Sequence, residues 1–155
     1  MEAMEITNAL WLAQIAPRIS DFAKKLAVPG ISYESLYAYY QQSIQYGKES
    51  TEFWVVFEGR EPQAFGHFIA LGLPHAGKIR IDALCNWTKE SMPTVMIVEK
   101  AIEFAQAQNA PLIDAELIND RLFRIFRKYA ARFGVVAAKT EHVKATGRIV
   151  STQEE

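Results

Sequence analysis

The sequence predicts an α+β chain built on one mixed, mostly antiparallel sheet with helices on both faces, and three observations predict it. Helical periodicity fills residues 8–46, and the composition then changes abruptly at Thr51 to three successive strand-like runs joined by a turn and a loop. A helix separates the third run from a short apolar segment beginning at Leu112; a strand reached through a helix crosses over right-handed and pairs in parallel. A last helical stretch stops at Gly134 and leaves chain enough for closing strands.

Taken in order, residues 4–7 are the one stretch ahead of the helices able to supply a stub of strand. In residues 8–26 the apolar Leu12, Ile15, Ile19, Phe22 and Leu26 recur at steps of three and four, the period of a helix with one buried face, and Pro17 divides it. Pro29 and Gly30 close that region. Ser32 sits where an N-cap is wanted, and residues 35–46 follow as a Tyr-rich helix closed by Gly47. Phe53, Trp54, Val55, Val56 and Phe57 are aromatic and β-branched, as a strand requires; Gly59 to Pro62 is a turn, and residues 64–71 return as the second strand of a hairpin. After a loop over 72–77, residues 78–85 alternate with period two through their first half, which places Ile79, Ile81, Ala83 and Cys85 on one face.

Ser91 is the expected N-cap of the next helix, with Pro93 in its first turn and Val95, Val98, Ile102 and Ala105 on a stripe opposite Glu99, Lys100, Glu103 and Gln106. It ends near Asn109. Residues 112–117 form the parallel strand, Asn119 or Asp120 caps the last helix, and Leu122, Ile125, Phe126, Tyr129 and Phe133 form its buried face. Residues 135–140 and 145–150 are candidate closing strands. The length fits one domain, expected over 1–150, with a disordered tail at 151–155.

With 17 basic and 18 acidic residues the net charge is -1, so nothing global draws the chain to nucleic acid or anionic lipid. The longest apolar runs fall far short of the ~20 residues that span a bilayer. The acidic start lacks the basic and apolar parts of a secretory signal, and the expected location is cytoplasmic. Cys85 is the only cysteine, which excludes an internal disulfide, and His67, His75 and His142 show no metal-ligand spacing, so no metal is expected.

Two helices, three antiparallel strands, a helix, a parallel strand, a helix and a closing strand or hairpin is an order few superfolds share. It resembles that of the GNAT acyl-CoA N-acyltransferases over roughly residues 51–150. The most telling local match is Asn-Asp-Arg-Leu-Phe-Arg-Ile-Phe-Arg-Lys-Tyr-Ala-Ala-Arg-Phe-Gly-Val at 119–135: an Asn after the parallel strand, a helix with small and aromatic positions, then Gly and an apolar residue. The resemblance implies that the strands at 78–85 and 112–117 splay apart around acetyl-CoA or another acyl-CoA. Backbone N–H groups over 84–87 would hold the pantetheine arm and polarise the thioester carbonyl, and the helix N-terminus at 88–94 would receive the pyrophosphate. Carried onto this chain, the cofactor-binding residues are Leu84, Asn86, Lys89, Ser91, Thr94 and Asn119.

The chain departs from that pattern in two places. Residues 86–93 contain no glycine, Glu90 opposes phosphate and Pro93 removes a donor. The tyrosine that protonates the departing thiolate in such enzymes falls on Ala130 counted back from Gly134, or on Phe126 counted forward from Asn119; the adjacent Tyr129 is rotated by about 100° on a helix. The motifs are degenerate, an erosion that resembles short phage-encoded proteins with GNAT-like domains.

Among single residues, Asp82 is on the polar face of its strand, either as a general base or as a paired structural carboxylate. Asp114 and Glu116 share a face of the next strand and have the same two readings, with binding of a cationic acceptor as a third. His67 reads as a hydrogen-bonded, partly buried histidine, and Cys85 as a small buried residue. Arg121, Arg124, Arg127, Lys128 and Arg132 form a solvated face or one for CoA phosphate or an acidic partner. The tyrosines Tyr33, Tyr37, Tyr39, Tyr40 and Tyr46 pack in the core or border an acceptor site. The resemblance thus implies an N-acyltransferase acting by direct attack of an amine on acyl-CoA, with Asp82 or Glu116 as base. The alternative is a non-catalytic binding or assembly protein, such as a phage accessory or virion-associated module, with a protein partner or homodimer.

Overall fold

The computed structural model describes residues 1–26, 31–71, 77–115 and 120–133. The N-terminal helices begin where Asn8 accepts the Trp11 N–H at 3.1 Å, an N-cap that starts α1 (Ala9–Gln14). Ile15 breaks the helical run and α2 (Ala16–Leu26) carries Pro17 in its first turn, where a missing N–H costs nothing. Ser32 and Ser35 exchange hydrogen bonds in a capping box at the start of α3 (Tyr33–Tyr46).

Four residues ahead of these helices form a strand, β1 (Glu2–Glu5), rather than the stub expected at residues 4–7. Glu-Ala-Met-Glu has little strand propensity of its own; pairing with the edge of β2 (Thr51–Glu58) makes it one. β2 turns at Gly59, whose φ of 59° suits glycine, into β3 (Glu61–Leu71), and β4 (Lys78–Asn86) follows antiparallel. α4 (Met92–Ala107) then crosses over to β5 (Leu112–Ala115), parallel to β4, and α5 (Asp120–Ala130) ends in a 3₁₀ turn (Ala131–Phe133). The spatial order of the five strands is their order in the chain.

Helices cover both faces, and two cores result. On one face Val56, Ala64, Phe68, Ile79, Ile81 and Leu84 pack against Ile97, Val98, Ala101 and Ile102 of α4 and Phe126 of α5. On the other, Phe53, Val55, Phe65, Ala83 and Cys85 meet Leu12, Ile15, Ile19, Phe22, Tyr40 and Ile44 of α1 to α3. Each fully buried Ile or Phe stabilises the fold by roughly 1.5–3 kcal/mol.

This division corrects the expectation that Ile79, Ile81, Ala83 and Cys85 share a face. Phe68 pairs with Ile81 and His67 with Ala83, so one β4 residue, Asp82, has no counterpart on β3. That β-bulge shifts the alternation by one residue and sends Ala83 and Cys85 to the layer opposite Ile79 and Ile81. A second correction falls at α4: Ser91 occupies the cap position but has helical backbone angles, and its side chain makes no capping bond. The Pro93 ring fixes the first turn instead.

Candidate active site

β4 and β5 pair from Lys78 opposite Leu112 to Ile81 opposite Ala115. β4 then continues to Asn86 past the last of these pairs. Glu116 and Asn119 lie outside the described residues, as do Gly134, the closing strands expected at 135–140 and 145–150, and the tail. The Trp87 N–H donates to the Gln63 carbonyl at 2.9 Å. Antiparallel strands direct alternate residues to one partner, so the amides of Leu84 and Asn86 point away from β3, toward the side of the sheet where β5 lies. The side chain of Leu84 is buried against α4, which leaves its backbone as the only group available to a ligand.

The bulge falls one residue past the last described β4–β5 pair, and there it aims Asp82 toward α3. Asp82 Oδ2 accepts the Tyr39 hydroxyl at 3.0 Å and lies 3.2 Å from His67 Nδ1. His67 is fully buried, and its Nε2 is 2.7 Å from Ser43 Oγ. Ser43 Oγ is 2.8 Å from Thr51 Oγ1, which in turn reaches the Gly47 carbonyl at 2.9 Å. Tyr39 and Ser43 are four apart on α3 and therefore face the sheet together. The Ser43 end of this chain borders a cavity of about 200 Å³, also lined by Glu5, Lys48, Thr51 and Glu52.

Burial pushes the Asp82 pKa up, but the hydrogen bond and charge of His67, the Tyr39 hydroxyl and Arg80 outweigh it and hold the group below the usual carboxylate range. Its side chain remains 32% exposed. Among the described residues no donor occupies its second oxygen. Burial and the Asp82 charge push the Tyr39 phenol well above its ordinary value, so Tyr39 donates a hydrogen bond and keeps its proton.

The segment ahead of α4 is tied to itself. Asn86 Nδ2 donates to the Glu90 carbonyl at 2.7 Å and to Thr94 Oγ1 at 2.9 Å, and Asn86 Oδ1 accepts the Thr88 N–H at 2.8 Å. Thr94 is wholly buried, backbone included, and its hydroxyl belongs to this knot. Lys89 and Ser91 are exposed. Arg121, at the start of α5, donates to the Lys89 carbonyl at 2.6 Å and puts a second cation beside the loop. Its part in the basic α5 series was legible in sequence; its contact with the loop was not.

The remaining candidates have other occupations. Asp114 takes Arg80 at 3.3 Å and Lys78 at 3.5 Å, a paired surface carboxylate. Cys85 is buried, and desolvation pushes its thiol up to about 11. Phe126 is in the core, while Tyr129 lies under Arg132 and Lys128, at 4.6 and 5.6 Å from its ring centroid. Tyr40 is buried at the centre of its layer and Tyr46 is 85% exposed. Trp87 belongs to the 84–87 run expected to offer backbone N–H groups, but its N–H is taken by Gln63, and nothing in the sequence marked its side chain: its ring stacks on Phe65 under Arg18, and its Nε1 is buried without a partner among the described residues.

Solved structures share this architecture end to end. A probable acetyltransferase superposes with a TM-score of 0.69 at 10% identity, over 97% of this chain and 99% of its own. The ribosomal-protein-alanine N-acetyltransferase of Brucella melitensis biovar Abortus 2308 gives 0.63 at 12% identity, over 94% and 99%. AAC(6')-Iy, solved with the bisubstrate analogue CoA-S-monomethyl-acetylneamine, gives 0.65 at 8%, over 96% and 98%. The chain has the GNAT fold. Sequence comparison alone finds no matching family model and no matching curated protein. In this GNAT-fold chain no described helix is long and apolar enough to cross a membrane, and no described cluster of His, Cys, Asp or Glu is set to hold a metal.

Proposed function

We propose that this chain is an acyl-CoA-dependent N-acyltransferase that moves an acetyl group to a primary amine by direct attack. The observation that carries the reading is the placement of Asp82: an ionised carboxylate on a bulge, one residue past the last described β4–β5 pair and two before the outward amide of Leu84, beside the slot that acyl-CoA would fill. Bound acyl-CoA supplies an activated thioester. The amides of Leu84 and Asn86 hold the pantetheine arm and polarise the carbonyl, while Ser91, Lys89 and Arg121 meet the pyrophosphate. The orphan N–H of Trp87 Nε1 is a further donor in want of an acceptor.

In the transfer the amine nitrogen bonds to the carbonyl carbon, the C–S bond breaks, and the sulfur leaves with its electron pair. Asp82 anchors the incoming ammonium, which gives one proton to solvent to become the attacking neutral amine, and takes the second proton once N–C bond formation has made it acidic, the role its low basicity suits. A thiolate whose conjugate thiol has a pKa of about 8.5 leaves without a dedicated acid. Glu116 is the second candidate base.

A second reading has its own observation. The Asn86–Glu90–Thr94 knot and Pro93 leave the phosphate end with few free donors, which suits a GNAT-fold module that binds or assembles without catalysis, as in a phage accessory or virion-associated protein. Titration with acetyl-CoA decides between the two. Saturation to about 100 times Kd adds ~2.7 kcal/mol to the stability of a protein that binds only when folded, and raises Tm by roughly 5–11 °C. The shift should fall in R121A and K89A, and a primary amine should then release free thiol. No shift at millimolar acetyl-CoA sinks the enzyme reading and leaves the assembly reading.

A further inference from the structure

An imidazole buried to 0% exposure among Phe53, Tyr40 and Tyr39 has a cost that an apolar residue at the same position would avoid. Both ring nitrogens are nevertheless partnered, one on each side: Nδ1 by Asp82 and Nε2 by Ser43. An ionised Asp82 only accepts, so Nδ1 must carry the proton between them. Thr51 donates to the Gly47 carbonyl, so Ser43 donates to Thr51 Oγ1 and presents a lone pair to Nε2, which donates to it. The Nδ1–H points at Asp82 Oδ2, where it joins the Tyr39 hydroxyl. Two donors on one carboxylate oxygen fix the plane of the group and leave the other oxygen, on a side chain 32% exposed, without a donor among the described residues.

We propose that His67 is a positioning residue for acceptor recognition: with Ser43 fixing its ring and Tyr39 sharing its target, it pins Asp82 Oδ2 so that Oδ1 faces a cationic primary amine. This rests on the reading that the slot admits an amine. The other titratable and charged groups near Asp82 are Tyr39 and Tyr40 from α3 and Arg80 from β4, with Asp114 of β5 drawing Arg80 aside.

The role predicts opposite behaviour for two amides at position 67. In H67N the amide nitrogen takes the place of Nδ1 and still donates to Asp82; in H67Q it takes the place of Nε2 and reaches Ser43 instead. Full-length protein labelled with 13C and 15N reports the Asp82 carboxyl carbon and the His67 ring nitrogens across a pH titration. With its donor removed and its burial retained, Asp82 should titrate about one pH unit or more higher in H67Q and close to wild type in H67N. S43A, which leaves Asp82 untouched, removes the acceptor of Nε2–H; the ring should give up that proton and its charge while Nδ1–H still donates, raising the Asp82 midpoint part of the way, a readout that stands even if H67Q does not fold. In amine-dependent thiol release from acetyl-CoA, the acid limb of kcat/KM for the amine should move up in pH with the Asp82 midpoint. A wild-type ring in the Nε2–H tautomer, or an Asp82 midpoint unchanged in H67Q and S43A alike, overturns the proposal even if the wild type turns over. The spectra need no turnover, so failure of the acyl-transfer reading is seen separately.

Discussion

Replacement of Gly66 by alanine should cost more than any other exchange of one hydrogen for a methyl in the sheet. Gly66 is on β3 opposite Leu84, with its open side toward α4. A Cβ built there would stand 2.4 Å from Ile97 Cγ2 and 3.0 Å from Phe68 Cε1, where ordinary contacts begin at 3.4 Å. The helix must therefore retreat by about 1 Å, and a packed core resists such a shift at roughly 1–3 kcal/mol. For a chain of this length that is a fall in Tm of about 2–12 °C. Urea denaturation of G66A, I97A and the double variant isolates the contact, because I97A removes the methyl that clashes. The double variant should be at least ~1 kcal/mol more stable than the two single losses summed. If the losses add to within ~0.5 kcal/mol, Gly66 and Ile97 are not in conflict and the close seating of α4 on β3 is refuted.

Two further outcomes concern the titration of buried groups. Burial raises the Glu52 pKa, Glu5 and Glu103 add to the effect, and the Trp54 indole N–H and Lys100 partly oppose it. The folded state then holds that proton more tightly than the unfolded one, so the charged form costs stability above the raised folded value and the cost disappears as the pH falls through it. E52Q keeps a carbonyl for Trp54 and should raise Tm at pH 7, with the gain gone below about pH 4; equal Tm at pH 7 would count against a desolvated carboxylate. Cys85, pushed up to about 11, is ionised in only about one molecule per thousand at pH 8. It should stay silent toward a disulfide reagent in the native protein and react stoichiometrically in urea. Rapid native reaction would mean that β4 opens readily.

The element order was legible because most elements carry their own signal: Ser32 and Asn8 cap, Pro17 and Gly59 punctuate, and the aromatic run from Phe53 cannot avoid burial. β1 was misplaced because Glu-Ala-Met-Glu becomes a strand only through its partner. The bulge was hidden because Ile79 to Ala83 alternates cleanly; the apolar Leu84 that breaks the pattern is its one signal in β4, and the register of β3 sets where the parity changes. At the site, Asp82 could be picked out by charge and strand position. His67, Tyr39 and Ser43 could not be joined to it, since 24 residues separate Ser43 from His67 and 43 separate Tyr39 from Asp82. Thr94 looked available to phosphate because a threonine in a helical first turn commonly is, and only Asn86 in space shows where its hydroxyl goes.

The extra residue in β4 also separates two kinds of change that a family of such proteins can undergo. Which layer Ala83 and Cys85 enter is decided by how many residues precede them, so only an insertion or deletion can exchange the two interiors, and it would exchange several side chains at once. A substitution at position 82 leaves that count alone. The carboxylate can therefore become an amide, a hydroxyl or a cation with both cores still in register, and the chemistry at position 82 is free to drift while the scaffold beneath it stays fixed.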